Sequence, residues 1–493
     1  MGWTQIMLFN SHFYIFIFLP LAALIYFFFN RFRITLGGRS FLLATSLLFY
    51  GWTHPAYIPL LLGSICCNYI VVRSMASCQA ERKNSYRPFL LVLGISGNLL
   101  LLAYFKYADF FIANVNLVSG LQLPFLRLLL PVGVSFFTLN QIGYLMDSWR
   151  GKIKEHAFLS YVQFVSFFPY ILAGPIVRYE EVVPQLTNLR NSHCDYKNMS
   201  EGVYLFFIGL FKKVVLADSL AVWANHGFDT TVTLTFIEAW ITSLSYTLQL
   251  YFDFSGYTDM ALGSALIFNV KLPINFNSPY KSSTIQEFWR RWHMTLGGFM
   301  RDYVYIPLGG SRVHEIRILV NLMITFLIIG AWHGAGWTFI VWGGLHGAAM
   351  IAFRLWTRLN ISMPKAFSWL LTFIFVNGAW VFFRAKDLGD AIKVLKGMAG
   401  INGLVLPKFM ERMAWAYPIH GISFGNPLAG INGNVTTSLM VFLLLLISAS
   451  FRNSNEMARG FKPDYSHLSF LAVLATISVL YLGRYSEFLY FRF

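Results

Sequence analysis

The sequence predicts an all-α protein that crosses a membrane many times. Hydrophobic residues make up 56% of the 493 residues and aromatic residues 18%, whereas only 12% are charged. Apolar runs recur from one end of the chain to the other without a long polar linker between them. This composition is typical of polytopic membrane proteins and excludes the soluble globular classes. We therefore expect a single membrane domain over residues 1–493.

The basic residues indicate an orientation in the membrane rather than a nucleic-acid partner. The formal net charge is +16, but the Lys and Arg residues cluster in short loops between apolar runs, as the positive-inside rule describes. Arg31, Arg33 and Arg39 follow the first apolar run, while residues 1–12 contain no Lys or Arg. The N-terminus is thus predicted to lie outside the cytoplasm. The four cysteines have neither CxxC nor zinc-site spacing, so we predict no disulfide framework and no metal site.

Apolar runs of roughly helical length define the predicted elements. They are residues 13–29, 41–50, 57–72, 89–105, 130–150, 158–177, 202–222, 236–268, 318–356, 366–383, 438–451 and 468–482. Since about 20 residues span a bilayer, we predict about eleven transmembrane helices, with interfacial and re-entrant helices among them. Pro169 and Ala173-Gly174-Pro175 are expected to break the run 158–177.

Charged residues interrupt two of these runs. Lys212 and Lys213 lie within 202–222 and are expected to snorkel towards an interface. Asp253 and Asp259 lie in YFDFSGYTD, at membrane depth, where Asp253 could pair with a neighbouring helix and have no other role.

Two stretches are less apolar than the rest. Residues 271–317 alternate aromatic and arginine residues in EFWRRWH, a pattern typical of a helix at a membrane interface. Residues 387–398 have an amphipathic pattern. The apolar face of that helix is predicted to contain Leu388, Ala391, Ile392 and Leu395.

Histidines next to glycine-rich breaks are the candidate functional residues. His333 stands where an apolar run meets Gly334-Ala335-Gly336, and His346 follows in GGLHG. Ionisable side chains at membrane depth are costly and usually face a protein interior or a wet cavity. The sequence contains no GxSxG, P-loop, HExxH or dinucleotide motif. From the residues alone, His333 and His293 are as consistent with structural hydrogen bonding as with catalysis.

Several long motifs occur in the order found in one known family. FWRRWHMTLGGFMRDYVYIPLGGSR and GAWHGAGWTFIVWGGLHG resemble the signature of the membrane-bound O-acyltransferase superfamily, in particular its bacterial alginate O-acetyltransferases and teichoic-acid D-alanylating proteins. PVGVSFFTLNQIGYLMDSWRG, FFPYILAGPIVRY, YFDFSGYTDMALG and WVFFRA resemble the same branch. The resemblance assigns residues 130–384 to a family core and 385–436 to an insertion. Residues 437–493 would be C-terminal helices and an aromatic tail.

The resemblance implies a fold, a site and an activity. The fold would be a ring of tilted helices around a thinned centre, with the active histidine in a tunnel. His333 matches the superfamily's active-site histidine, and His293 matches its second polar site. The implied activity is transfer of an acyl group, in the first place acetyl, to an exopolysaccharide or cell-wall polymer. D-Alanyl transfer to teichoic acid is the alternative within the family, and a polysaccharide-precursor flippase or a non-catalytic scaffold is the alternative outside it.

The same resemblance implies the donor, the partners and the location. The donor would be a cytoplasmic thioester, either acetyl-CoA or an acylated carrier protein, with no tightly bound cofactor. The expected partners are membrane lipid, a polysaccharide acceptor and an extracytoplasmic acetyltransferase-like or esterase-like protein, and the expected location is the bacterial inner membrane. Tyr490, in the tail FLYFRF, is predicted either to anchor the tail at the interface or to accept the acyl group from the site at His333.

Overall fold

The computed structural model of the protein describes residues 7–52, 54–80, 84–413, 421–483 and 488–489. These residues are predominantly helical, which confirms the predicted all-α class. Within these ranges, the strands are β1 (Leu404–Pro407) and β2 (Ile422–Gly425), which pair in parallel with Leu404 opposite Ile422. Both strands lie in the predicted insertion.

The α-helices are joined by connections of different lengths, the longer of which include residues 120–133, 268–284 and 399–434. They are α1 Leu19–Arg31, α2 Thr35–Gly51, α3 Tyr57–Ala80, α4 Arg87–Ser119, α5 Val134–Trp149, α6 Phe158–Ser166, α7 Tyr179–Thr187, α8 Tyr196–Phe211, α9 Asp218–Asn225, α10 Phe236–Ile267, α11 Ile285–Arg291, α12 Met294–Met300, α13 Glu315–His333, α14 Trp337–Arg358, α15 Lys365–Arg384, α16 Leu388–Met398, α17 Val435–Ser450, α18 Ser454–Arg459 and α19 Tyr465–Tyr481. A π-helical turn, Tyr14–Phe18, leads into α1, and another, Lys212–Ala217, joins α8 to α9.

Six of the helical segments in the described ranges are long and apolar enough to cross a membrane. They are Tyr14–Arg31, Tyr57–Gln79, Arg87–Ser119, Glu315–His333, Trp337–Arg358 and Lys365–Arg384. Two shorter apolar helices, α17 and α19, accompany them. Large apolar side chains are exposed on these segments, for example Leu24 and Leu100, as expected of surfaces that face lipid. The protein is therefore a multi-span membrane protein, while the total of about eleven crossings stays a prediction.

The chain divides into two compact units that interleave along the sequence. The first contains Met1–Phe211, Tyr257–Asn275 and Met457–Arg484, and the second contains Lys212–Gly256, Phe276–Glu456 and Tyr485–Phe493. All three histidines in the family motifs, and Asp253, belong to the second unit. The predicted single domain, with its core and insertion boundaries, stays a prediction.

In the first unit, polar side chains pair inside an apolar interior. Asn98 Nδ2 donates to Asn68 Oδ1 (2.6 Å), while Asn68 Nδ2 and the Tyr161 hydroxyl both donate to Gln141 Oε1 (3.0 Å each). Because a membrane offers no water to buried polar groups, such groups must satisfy one another. This network ties together α3, α4, α5 and α6.

The predicted helix break near Pro169 is confirmed. Helix α6 ends at Ser166, and the next helix begins only at Tyr179. The turns between them are buried, as non-helical backbone at membrane depth must be. Gly133 packs directly on this segment: its φ is +76°, and a Cβ there would lie 2.4 Å from the carbonyl oxygen of Ile171.

In the second unit, the predicted helix over 387–398 is confirmed. Helix α16 begins after Asp387, whose side chain accepts a hydrogen bond from the backbone N–H of Asp390 (2.9 Å). The buried positions are Ala391, Val394 and Gly397. Leu388 and Ile392, on the predicted apolar face, are 40% and 48% exposed, so that face coincides only in part with the buried one. Small residues line the contact because Gly397 lies against the backbone of Leu234.

Candidate acyl-transfer site

His293 reaches the interior from a sharp turn between two short helices. Helix α11 is capped by Thr284, whose hydroxyl accepts a hydrogen bond from the Glu287 N–H (3.1 Å), and α12 starts directly after His293. The backbone of His293 is left-handed, with φ 43° and ψ 51°. For a residue other than glycine, such a conformation costs about 1–3 kcal/mol and persists only where the surroundings impose it. The side chain is fully buried, with the Phe254 ring 4.8 Å away, edge-on.

His333 is the last residue of α13. The helix stops there because Gly334 and Gly336 have extended backbones, and α14 begins at Trp337. A Cβ on Gly334 would lie 2.1 Å from the Phe339 ring, so only glycine allows this turn to close. The His333 ring is enclosed by aromatic rings with centroids 5.0–5.2 Å away. These rings are Trp332, Trp342 and Phe383.

The structure brings His293 and His333 together. Their ring centroids are 6.1 Å apart at an angle of 58°, and both side chains are buried, with 0% and 4% exposure. A reacting group bound beside the pair could reach both rings. Removal of a proton from a hydroxyl by a general base requires such proximity. The catalytic roles of both residues stay predictions.

His346 lies in the same aromatic cluster, on the far side of Trp342. The Trp342 ring is 5.2 Å from His333 and 4.8 Å from His346. The indole N–H of Trp289 donates to His346 Nδ1 (3.2 Å), which assigns the proton of a neutral ring to Nε2. His346 thus holds Trp289, whose ring packs on Trp342 with centroids 5.9 Å apart.

Trp342 was missed by the sequence analysis. It is fully buried, and its ring lies against those of His333 and His346. Its indole N–H has no hydrogen-bond partner in the part of the chain that the structure describes. A sequence signal existed: Trp342 precedes His346 by four positions, so both lie on one face of α14.

A second group missed by the sequence analysis is a buried cluster of three charges. Lys213 Nζ lies 2.7 Å from Asp253 Oδ1 and 2.7 Å from Asp218 Oδ1. The side chains of Lys213 and Asp253 are only 2% and 1% exposed. The prediction that Lys213 snorkels was therefore wrong: this lysine is held inside by two carboxylates. The pairing suggested for Asp253 is confirmed.

The described part of the tail meets this cluster. Phe488 and Leu489 are 4% and 2% exposed, and the Leu489 backbone N–H donates to Asp253 Oδ2 (3.2 Å). Tyr490, the third predicted site residue, lies outside the described residues. Its predicted role is untested by the structure.

Comparison with known proteins shows the family to which the chain belongs. The model of the MBOAT, membrane-bound O-acyltransferase family, matches residues 101–386. The chain is 44% identical to a peptidoglycan O-acetyltransferase of Helicobacter pylori, over 99% of this chain and 98% of that protein. It is 34% identical to a probable alginate O-acetylase of Pseudomonas putida, over 99% of this chain and all (100%) of that protein. A teichoic acid D-alanyltransferase of Bacillus subtilis is 28% identical over 52% of this chain and 69% of its own length.

These matches confirm the resemblance drawn from the motifs, including the expectation of an acyl-transferring enzyme. The flippase and scaffold alternatives lose their support, because the relatives that match the whole chain are O-acetylating enzymes. The chain belongs to the membrane-bound O-acyltransferase family and is a membrane O-acetyltransferase.

Proposed function

We propose that the protein moves acetyl groups from a cytoplasmic thioester across the bacterial inner membrane for O-acetylation of peptidoglycan. The observation that carries this proposal is the pair of buried histidines, His293 and His333, inside a multi-span membrane O-acetyltransferase. The peptidoglycan acceptor is supported by the end-to-end similarity to an enzyme with that acceptor in its name. D-Alanyl transfer has weaker support, since the teichoic acid relatives match only 52% and 64% of this chain.

In the proposed reaction, His333 acts as the general base. A hydroxyl oxygen attacks the thioester carbonyl carbon while neutral imidazole takes the hydroxyl proton, giving a tetrahedral intermediate. The C–S bond then breaks, and the leaving thiolate takes the proton back from the imidazolium. A positioned base of this kind contributes about 10²–10⁴-fold to the rate. The enclosing rings of Trp332, Trp342 and Phe383 exclude water that would hydrolyse the thioester.

His293 is proposed to orient the thioester or to stabilise the oxyanion of the intermediate. Its ring is within reach of a group bound at His333, and the left-handed backbone fixes its direction. A donor fixed in this way needs no reorganisation when charge develops on the carbonyl oxygen.

The first acceptor is proposed to be the Tyr490 hydroxyl of the chain itself. Burial of Phe488 and Leu489 supports a tail that enters the protein, rather than one that only anchors at the interface. Transfer to Tyr490 would form a phenyl ester and release the thiol. An extracytoplasmic acetyltransferase-like or esterase-like partner would then take the acetyl group onto its own hydroxyl. Phenolate is a better leaving group than a sugar alkoxide, so the ester would stay activated for this second step.

Two acyl donors are compatible with the net positive charge of the chain. Acetyl-CoA and an acylated carrier protein are both anionic, and a net charge of +16 favours the approach of either one. In both cases only the acetyl group crosses the membrane, while the carrier stays in the cytoplasm.

Tyr490→Phe tests the relay, because it removes the hydroxyl and keeps an aromatic ring. Ester-linked acetate released from purified peptidoglycan by mild alkali is compared in cells with the wild-type and variant proteins at matched membrane levels. We expect the variant to lose peptidoglycan acetylation, and wild-type protein incubated with labelled donor to carry label on Tyr490. Full acetylation by Tyr490→Phe would contradict the relay.

A further inference from the structure

The Lys213 cluster brings two carboxylates to one lysine. One ammonium group faces two carboxylates, Asp218 and Asp253, in a place where Lys213 and Asp253 are almost fully buried. Buried carboxylates are costly unless each is paired and hydrogen-bonded. Asp218 alone would be enough to pair Lys213. The second carboxylate, Asp253, therefore needs an explanation besides neutralising the lysine.

Asp253 uses its two oxygens for different partners. Oδ1 contacts Lys213 Nζ at 2.7 Å, whereas Oδ2 accepts the backbone N–H of Leu489 at 3.2 Å. Hydrogen bonds from a backbone N–H to a carboxylate are stronger than those between neutral groups. The contact is also independent of the side chain at position 489, so it fixes the main chain of the tail.

The cluster lies next to the candidate site. Phe254 follows Asp253 on α10, and its ring packs edge-on against His293 with centroids 4.8 Å apart. His293 in turn lies 6.1 Å from His333. The contact at the Leu489 backbone is thus linked to His293 through Asp253 and Phe254, which are adjacent on α10.

We propose that Asp253 is a positioning residue that holds the main chain of the C-terminal tail at Leu489, directly before the proposed acceptor in the sequence. This inference rests on the proposed acceptor role of Tyr490. Lys213 holds Oδ1 of Asp253 at 2.7 Å, which leaves Oδ2 for the tail, and Asp218 is a second partner of the lysine.

A thiol introduced at position 489 measures docking without reference to catalysis. Leu489→Cys preserves the backbone N–H, and the rate of its alkylation by membrane-permeant N-ethylmaleimide reports how often the tail leaves. Peptide mass spectrometry separates this adduct from adducts of the four native cysteines. In the Leu489→Cys protein, adding Asp253→Leu removes the acceptor while Lys213 keeps Asp218. We expect alkylation to become about 10- to 100-fold faster, as for loss of a hydrogen bond to a charged group.

Asp218→Asn is the matched control, since it removes the other carboxylate and leaves the contact with the tail intact. It should alkylate at about the parent rate, while Asp253→Asn, whose amide oxygen can still accept, should fall between the parent and Asp253→Leu. If Asp253→Leu accumulates poorly, the two isosteric asparagine variants carry the comparison. Equal rates for Asp218→Asn and Asp253→Asn, or a parental rate for Asp253→Leu, would overturn the inference.

The same measurement in a Tyr490→Phe background separates this inference from the acyl relay. Docking needs no phenol hydroxyl, so protection of the introduced thiol and its loss in Asp253→Leu should persist there. Full peptidoglycan acetylation by Tyr490→Phe, together with a protected thiol at position 489, would contradict the acyl relay through Tyr490. It would leave the docking of the tail at Asp253 supported. A thiol that is unprotected in every variant would remove the docking alone.

Discussion

At the scale of single residues, the candidate site depends on two histidines that the backbone presents in different ways. His333 is held by a helix end and a ring of aromatic side chains, whereas His293 is held by a left-handed turn. The two arrangements call for different substitutions. At His333 the imidazole can be removed without changing the backbone, but at His293 the replacement must also tolerate a positive φ.

His333→Gln is expected to abolish acetylation. Glutamine fills a similar volume and can hydrogen-bond, but it cannot take the proton of the attacking hydroxyl. The expected loss is about 10²–10⁴-fold in the rate of acetyl transfer from labelled donor in membrane vesicles. His12→Gln serves as the control, because His12 is exposed and lies in the other unit. Near-normal transfer by His333→Gln at wild-type membrane levels would refute the assignment.

His293→Asn is expected to fold normally and to lose about 10²–10³-fold in transfer rate, as for removal of one oxyanion donor. Asparagine adopts the left-handed conformation more readily than most residues, so the turn before α12 should survive. His293→Ala should add a loss of stability to the same loss of rate. The unfolding midpoint in detergent distinguishes the two variants. If His293→Asn transfers acetyl at the wild-type rate, the paired site fails and His333 acts alone.

The residues that the sequence could identify were those inside long motifs. His293 and His333 were candidates because each stands in a motif of the family and because histidine at membrane depth is costly. Trp342 and the Lys213–Asp253 pair were missed, since a contact between distant positions leaves no local pattern. Lys213 was assigned to the interface because a lysine in an apolar run usually snorkels. Two buried carboxylates gave it a partner inside instead.

At the scale of elements, the hairpin of α13 and α14 sets the position of His333. The two helices pack closely where Gly330 faces Gly343. A Cβ on Gly343 would lie 2.5 Å from the carbonyl oxygen of Phe326, and one on Gly330 would lie 2.4 Å from that of Phe339. Both obstacles are backbone atoms, which cannot rotate away. Small residues at such contacts let membrane helices approach.

Gly343→Ala should therefore destabilise the protein, by about 1–3 kcal/mol as for other overpacked sites. Gly344→Ala is the matched control, since the nearest atom to a Cβ there is Leu327 Cδ2, at 3.9 Å. That variant should be neutral or slightly stabilising, because alanine favours helix. Unfolding midpoints of the purified proteins in the same detergent make the comparison. Equal midpoints would show that the close contact in the hairpin adds nothing to stability.

The elements themselves were predicted better than their packing. The sequence indicated the break at Pro169 and the helix over 387–398, because proline and amphipathic periodicity are local signals. It did not indicate that Leu388 and Ile392, on the apolar face of α16, are exposed. In a membrane protein, an apolar side chain can face either lipid or the protein interior. Hydrophobicity alone therefore does not identify the helix face that packs against protein.

At the scale of the whole molecule, the prediction that can be tested first is orientation. The first candidate span is Tyr14–Arg31, and Arg31, Arg33 and Arg39 lie at or just after its end. Lys and Arg residues within about 15–20 residues of a span set its orientation and stay in the cytoplasm. Residues 1–12 contain neither. The chain should therefore enter the cytoplasm after its first crossing, on the side where a cytoplasmic thioester donor would bind.

A fluorescent protein fused after Arg33 should fluoresce, because it folds in the cytoplasm, whereas alkaline phosphatase fused at the same point should be inactive. Replacing Arg31 and Arg33 together by glutamine is the paired control. Without these charges the bias disappears, so phosphatase activity should rise as part of the population inverts. An active phosphatase fusion with both arginines present would contradict the predicted orientation. The basic loops would then face outward, away from any cytoplasmic donor, and the proposed direction of acetyl transfer would have to be abandoned.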